Sequence, residues 1–325
     1  MNTPTHDLLA HFWFGVMGLM LVFYVITDGF DLGAGLLSLF TPEERDRDQI
    51  FGAIGHVWDA NETWLVVLGG AMFGAFPVAY ALLLHTLYVP VMALIASLIL
   101  RGAAIEFRHA AHNKRGWDIA FGIGSLGAAA SQGVVLGSVI TGLAPGGLNA
   151  AFIAVAALGV VSGYALLGAT YMIKKAGGDM VRASRRQAWW CVSATVACAA
   201  LLTGATLLLP QIGHEHWRQP AVFPLLAVLG ALSAAAIALL AHGLFTGSER
   251  TPFRASVALF VFSFGGLAVS LFPDLVPGRL AIADAASETS TLVFMLCGIG
   301  LIFPVMVGYN LYQYHVFRGR VQLNH

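Results

Sequence analysis

The sequence predicts an all-α membrane protein with nine transmembrane helices. Its 325 residues are 58% hydrophobic and only 10% charged, and the mean hydropathy is +0.78. Because soluble domains carry about 25% charged residues, this composition excludes an ordinary soluble enzyme. The formal net charge of zero gives no indication of nucleic-acid binding. The spacing of the apolar segments and the positions of the basic residues further support this fold.

The apolar segments are each close to the ~20 residues that cross a bilayer. The predicted helices lie near 8–40, 50–75, 77–100, 119–140, 149–172, 187–209, 221–245, 254–272 and 291–314. They form one polytopic membrane domain over residues 1–325, expected as two four-helix bundles plus one peripheral helix. No loop is long enough for an extramembrane catalytic domain, so we expect the chemistry to lie within the membrane or in a partner subunit.

The basic residues predict the orientation of the helices. If the segments alternate, 15 of the 17 Lys and Arg residues fall on one side, and only Arg218 and Arg279 fall on the other. Since basic residues accumulate in cytoplasmic loops, the N-terminus is predicted outside and the C-terminus in the cytoplasm. The first residues lack the positively charged region of a signal peptide, so the first apolar segment is expected to remain as a helix.

The second apolar segment contains polar side chains that are costly to place in a membrane. His56, Asp59, Asn61 and Glu62 lie in an otherwise apolar run. An ionised carboxylate in hydrocarbon costs several kcal/mol, so it usually faces protein or water. In a continuous helix starting near residue 50, Asp59 and Glu62 would lie roughly 9–12 residues deep, near the middle of the membrane.

Further charged residues are predicted at the cytoplasmic ends of two neighbouring helices. Asp28 and Asp31 end the first helix, and Arg101 and Glu106 end the third. One interpretation is a hydrated relay that carries protons from Asp28 towards the second helix, with Arg101 holding one carboxylate ionised. The structural alternative is that ion pairs and helix caps only fix the packing of the first three helices.

The histidines and cysteines show no metal-binding spacing. A haem needs one or two axial ligands and no sequence motif, so His56, His85 and His242 remain formal candidates. A hydrogen-bonded packing role is favoured for each of them. The cysteines are interpreted as buried thiols, and no metal site is expected in this chain.

Several motifs resemble subunit II of the cytochrome bd-type quinol oxidases, including their cyanide-insensitive relatives. The matching stretches are FYVITDGFDLGAG at 23–35, VWDANETWLVVLGGAMFGAFPVAYA at 57–81, LYVP at 87–90, RGAAIEFRH at 101–109, SLFPDLVP at 270–277 and DAAS at 284–287. The resemblance covers the first ~110 residues and the end of the chain. The central helices resemble the family mainly in hydropathy.

The resemblance implies a role in a terminal oxidase of the bacterial cytoplasmic (inner) membrane that oxidises quinol and reduces dioxygen to water. In this family, subunit I holds two b haems and one d haem, and subunit II is its lipid-embedded heterodimer partner. Subunit II then supplies no haem ligand, contributes part of a cytoplasmic proton-uptake path and can hold a structural quinone. A small single-helix accessory subunit can join the complex. The chain alone is expected to be inactive.

The resemblance also assigns expected roles to individual residues. Asp28 and Asp59 match family candidates for the proton route, and Trp58 and Arg101 match positions near a quinone or the partner. Glu62 stands where relatives have glutamate or glutamine.

Asp31 and Glu106 are expected as charge partners in the same vicinity. His56 departs from the residue type expected before VWD, and the outside loops are shorter than in many relatives. Two alternatives remain open for the buried carboxylates, a proton-coupled secondary transporter and a purely structural scaffold.

Overall fold

The computed structural model describes residues 3–208, 219–317 and 319–320. Arg218, which was used to predict the orientation, and Leu209, the predicted end of the sixth helix, lie outside these residues. The helices are α1 Pro4–Ser38, α2 Glu44–Ile54, α3 Trp58–Ala75, α4 Pro77–Thr86, α5 Tyr88–Arg108, α6 Arg115–Ile140, α7 Gly147–Lys175, α8 Asp179–Leu208, α9 Phe223–Phe245, α10 Thr251–Leu271, α11 Ile282–Ala285 and α12 Thr289–Val316. Two short antiparallel strands, β1 Asp274–Val276 and β2 Leu280–Ala281, precede α11.

The predicted all-α membrane fold is confirmed. Within the described residues, eight helices are long and apolar enough to cross a membrane. The helices α3 and α4, which meet at a bend of 118°, pass the same test together and would make a ninth span. The orientation of the chain ends and the grouping into two four-helix bundles plus one peripheral helix stay predictions.

The predicted helix over 50–75 is wrong as one continuous element. The chain leaves the helical conformation between α2 and α3, at residues 55–57. Helix α2 opens with the charged run ERDRD, which favours an aqueous end of the bundle rather than its apolar interior. Gly55 then ends α2, and α3 begins at Trp58 without a side-chain cap.

The predicted helix over 77–100 is also divided. A break at Leu87 separates the ten-residue α4 from α5. Pro90 lies in the first turn of α5, where its missing N–H costs nothing. In one continuous helix over 77–100, the same proline would lie in the helix interior and disrupt it. Of the two helices, α5 alone is long and apolar enough to cross a membrane, and it extends to Arg108.

The helix α1 lies at the centre of the fold, against α3, α6 and α7. Its contact with α7 depends on two glycines. A Cβ atom on Gly33 would lie 1.8 Å from the carbonyl oxygen of Tyr164, and one on Gly168 would lie 2.3 Å from Gly33 C. Only residues without a side chain allow the two backbones to approach so closely.

Ion pairs fix α2 to the neighbouring ends of α5 and α6. The carboxylate of Asp118 accepts hydrogen bonds of 2.6 Å from Arg47 Nε and from Arg108 Nε. Arg108 also pairs with Asp48 at 2.8 Å, and Lys114 lies 3.5 Å from that carboxylate. These five residues form the basic-end cluster, and they hold the segment that leads into α3.

Candidate functional site

Arg101 is the centre of a buried group of charged residues contributed by three helices. Its Nη1 donates to Asp28 Oδ1 at 2.6 Å, and its Nη2 donates to Glu62 Oε2 at 2.7 Å. The side chains of Arg101 and Asp28 are 0% exposed, and that of Glu62 is 24% exposed. The guanidinium therefore joins α1 and α3 to α5 through two charge-assisted hydrogen bonds.

Asp31 lies beside this ion pair but receives a neutral donor. Asn61 Nδ2 donates to Asp31 Oδ2 at 2.8 Å and to the Thr27 carbonyl at 3.2 Å. The hydroxyl of Tyr314, on α12, donates to Asn61 Oδ1 at 2.6 Å. Asp31 and Asn61 are both fully buried, so the amide links the carboxyl group to a fourth helix.

Spacing along each helix explains why these side chains meet. Asp28 and Asp31 are three residues apart and therefore lie on one face of α1. Asn61 and Glu62 belong to the second turn of α3, which begins at Trp58. We call Asp28, Asp31, Asn61, Glu62 and Arg101 the inner cluster.

The inner cluster contains more acidic than basic groups. Three carboxyl groups surround a single guanidinium, and in the described part of the chain Asp28 Oδ2 and Asp31 Oδ1 have no hydrogen-bond partner. Keeping every carboxyl group ionised in this setting would be costly, because a buried charge needs a partner of opposite sign. The arrangement can therefore hold a proton as well as an ion pair.

The positions of the carboxylates differ from the prediction. Asp28 and Asp31 were expected at a helix end and Glu62 deeper in the membrane, whereas all three carboxyl groups lie together in the inner cluster. Asp59 was expected deep within its helix, but it lies in the first turn of α3 and is exposed. The break at residues 55–57 is the cause, because α3 starts eight residues later than predicted.

Asp59 lines a cavity of about 300 Å³ beside α12. The cavity wall also includes His56, Trp58, Asn310 and Gln313. Asp59 is not hydrogen-bonded to the inner cluster in the described structure, but Glu62 lies one helical turn further along the same helix. The cavity and the inner cluster are thus adjacent along α3.

The remaining predicted residues divide into one neighbour of the cluster and one residue outside it. Trp58 packs against Gly102, the residue after Arg101, since a Cβ atom on Gly102 would lie 3.4 Å from the Trp58 ring. Glu106 is exposed and does not join the cluster. The Arg101 side chain is fully buried and two of its nitrogens are bound to carboxylates, and its expected place near a quinone stays a prediction.

A second buried polar chain was missed by the sequence analysis. Gln132 Nε2 donates to the Tyr24 hydroxyl at 2.7 Å, and the Tyr164 hydroxyl donates to Gln132 Oε1 at 2.6 Å. These residues lie on α1, α6 and α7. Their signal in the sequence is weak, because each is a single uncharged polar group in an apolar segment.

The histidines do not gather at one place in the described helices. His56 is exposed and stacks on Phe317 with ring centroids 4.7 Å apart, and His85 and His242 are also exposed. The described residues contain no group of three or more His, Cys, Asp or Glu side chains that could hold a metal ion. The expectation that this chain supplies no haem ligand stays a prediction.

Comparisons with known proteins agree over almost the whole chain. The profile of the family described as "Cytochrome bd terminal oxidase subunit II" matches residues 9–317. The "Cytochrome bd ubiquinol oxidase subunit 2" of Bacillus subtilis is 26% identical, over 97% of this chain and 96% of that protein. The "Cytochrome bd-I ubiquinol oxidase subunit 2" of Escherichia coli K12 is 25% identical over the same shares.

A solved structure shares the fold. A chain of the bd oxidase from Geobacillus thermodenitrificans superposes with a TM-score of 0.73 at 20% sequence identity. The match covers 95% of this chain and 99% of that chain. The likeness therefore extends through the central helices, where the sequence motifs were weak.

Proposed function

The chain belongs to the cytochrome bd terminal oxidase subunit II family, and on this basis we propose that it handles protons for a haem-carrying partner. It is a subunit of a quinol:oxygen oxidoreductase, as its relatives are. The proton-coupled transporter is not retained, because the family match spans residues 9–317. A general terminal oxidase role leaves open what the inner cluster does within the complex.

We propose that subunit I is the heterodimer partner and holds the two b haems and the d haem. The exposed carboxylate of Asp59 supports a partner at this surface. Asp59 lies in the first turn of a helix in the apolar bundle, where contact with lipid would be costly. A protein partner over the cavity beside α3 and α12 would remove that cost. We propose no step through a quinone in this chain.

One observation carries the proton-handling proposal, the excess of carboxyl groups over cations in the inner cluster. Arg101 is shared between Asp28 and Glu62, while the fully buried Asp31 has an amide donor from Asn61. A group of this composition binds a proton readily and can release it when a neighbouring charge changes. The purely structural alternative requires all the carboxyl groups to keep one fixed state.

The proposed route connects the cluster with the surface through α3. Asp59 lies at the cavity, Glu62 is partly exposed one turn further along, and Asp28 is reached through the shared guanidinium. Protons taken up from the cytoplasm would pass through these carboxyl groups to the partner that covers the cavity at Asp59. Asp31 would adjust its own protonation to the charge of Asp28 beside it on α1.

The test is Asp59→Asn in the assembled complex. The amide keeps the shape of the side chain but cannot exchange a proton, so quinol oxidase turnover should fall about 10-fold or more while haem content stays unchanged. Turnover and haem absorbance are measured on the same purified sample. The matched control is Glu106→Gln, another exposed carboxyl group on a helix of the same bundle, which should leave both unchanged.

Two outcomes would contradict the proposal. Wild-type turnover in Asp59→Asn would remove this carboxyl group from the route. A loss of haem in proportion to the loss of turnover would instead assign Asp59 to assembly with the partner.

A further inference from the structure

A second cavity, separate from the inner cluster, lies between the end of α7 and the beginning of α10. It has a volume of about 470 Å³ and is lined by Lys174, Arg250, Phe253 and Arg254. The ammonium group of Lys174 lies 5.0 Å from the centre of the Phe253 ring, an arrangement that favours a cation. The ring in turn packs edge-on against the buried Phe30, which fixes the wall of the cavity.

Among the described residues, no carboxylate lies within ion-pair distance of the three cations of this cavity. The nearest acidic residue in the sequence, Glu249, pairs with Arg320 instead. The buried cations Arg47 and Arg108, by contrast, are compensated by Asp118. Three unpaired positive charges around one cavity repel each other, and an anion bound between them would relieve that repulsion.

We propose that this cavity binds the phosphodiester headgroup of an anionic phospholipid. The two guanidinium groups and the ammonium group are the donors that bind phosphate oxygens in proteins. The first turn of α10 begins at Thr251, so the partial positive charge of a helix N-terminus adds to theirs.

The position of the cavity selects a lipid over a free phosphate ion. The helices α7 and α10 both pass the test for membrane-spanning segments, and the cavity lies where α7 ends and α10 begins. Lipid headgroups occupy this level of a bilayer, and basic pockets between transmembrane helices bind anionic lipids there. The proposal does not depend on the proton route, since no residue of the inner cluster lines the cavity.

The experiment titrates the purified, delipidated complex with phosphatidylglycerol and counts bound lipid by native mass spectrometry. The test variant combines Lys174→Gln, Arg250→Gln and Arg254→Gln, and its dissociation constant for the lipid should rise about 100-fold. The control combines Arg45→Gln, Arg115→Gln and Arg186→Gln. These three side chains are exposed and the control has the same net charge, so its affinity should match the wild type.

Parallel titrations distinguish the sources of phosphate. Phosphatidylcholine, which has no net charge, should not compete for the site, and inorganic phosphate should not displace bound phosphatidylglycerol. Equal loss of lipid in both triple variants would overturn the proposal in favour of general charge attraction. Displacement by inorganic phosphate at similar concentration would overturn it in favour of a free-anion site.

Haem absorbance shows whether the test variant assembles. If the triple variant fails to assemble, the single variants Lys174→Gln and Arg254→Gln are titrated instead. Each should weaken phosphatidylglycerol binding about 5-fold. Wild-type affinity in both single variants would contradict the proposal.

Discussion

The inner cluster and the basic-end cluster both pair arginine with carboxylates but balance their charges differently. In the basic-end cluster, both oxygens of Asp118 accept a hydrogen bond from an arginine, and the carboxylate is 2% exposed. In the inner cluster, Asp28 and Glu62 share the single guanidinium of Arg101, and Asp31 has only an amide donor. A carboxylate with an arginine at each oxygen suits a fixed joint between helices, whereas carboxyl groups that outnumber their cations suit groups that gain and lose protons.

Buried charges have two different roles in the two clusters. The basic-end cluster fixes α2, and Arg108 reinforces it by lying 4.1 Å from the centre of the Phe51 ring. The inner cluster links α1, α3 and α5 and lies next to the cavity that contains Asp59. Substitutions in the first should change stability alone, and substitutions in the second should change turnover as well.

The largest effect is expected from Arg101→Met. Methionine fills similar space but leaves the carboxyl groups of the inner cluster without a cation, which should destabilise the complex by about 3–5 kcal/mol. Thermal unfolding of the purified complex, followed by haem absorbance, measures the change. Protonation removes the charge of a carboxyl group and so reduces its need for a cation. The destabilisation by Arg101→Met should therefore be smaller at pH 5 than at pH 8.

The control for this variant is Arg186→Met at an exposed position, where the change should be small. Unfolding of Arg101→Met at the wild-type temperature would show that the cluster is not held by its ion pairs.

A smaller effect is expected from Asp118→Asn. The amide weakens two charge-assisted hydrogen bonds, but Arg108 keeps Asp48 and Arg47 keeps the carbonyls of Thr41 and Pro42. The destabilisation should therefore be about 2 kcal/mol, with normal turnover per haem. Reduced turnover at full haem content would break the distinction between the two clusters.

For comparison, Asp179→Asn removes an exposed carboxylate paired with Arg182, and it should leave stability almost unchanged.

The smallest effect is expected from Tyr314→Phe. The variant removes the hydrogen bond to Asn61 and should cost about 1 kcal/mol of stability. The matched control is Tyr312→Phe, whose side chain on the same helix is 67% exposed. If both variants unfold at the same temperature, the link from α12 to the inner cluster contributes nothing measurable.

The fold class and several members of the inner cluster could be predicted because their signals are local. Apolar segments of membrane-spanning length identify the helices, and charged residues within them, such as Asp28 and Arg101, are conspicuous because they are costly. The ion pair itself joins residues 73 positions apart, so the sequence shows its members but not their contact.

Other features depend on backbone geometry or distant neighbours and could not be predicted. Asp59 lies in the first turn of α3 because the helix breaks at residues 55–57. The largely apolar sequence around the break gives no sign of it. Tyr314 lies 253 positions from Asn61, and an uncharged tyrosine in a transmembrane helix has many packing roles. The basic-end cluster was missed because its members resemble an ordinary charged loop.

The most direct test compares Asp28→Asn with Asp118→Asn in the assembled complex. Proton uptake and quinol oxidase turnover are measured per haem, so that a difference in the amount of assembled complex does not affect the comparison. We expect Asp28→Asn to lower both about 10-fold or more at unchanged haem content, and Asp118→Asn to leave both at the wild-type value. Equal turnover and proton uptake in the two variants would contradict a proton-handling role for the inner cluster.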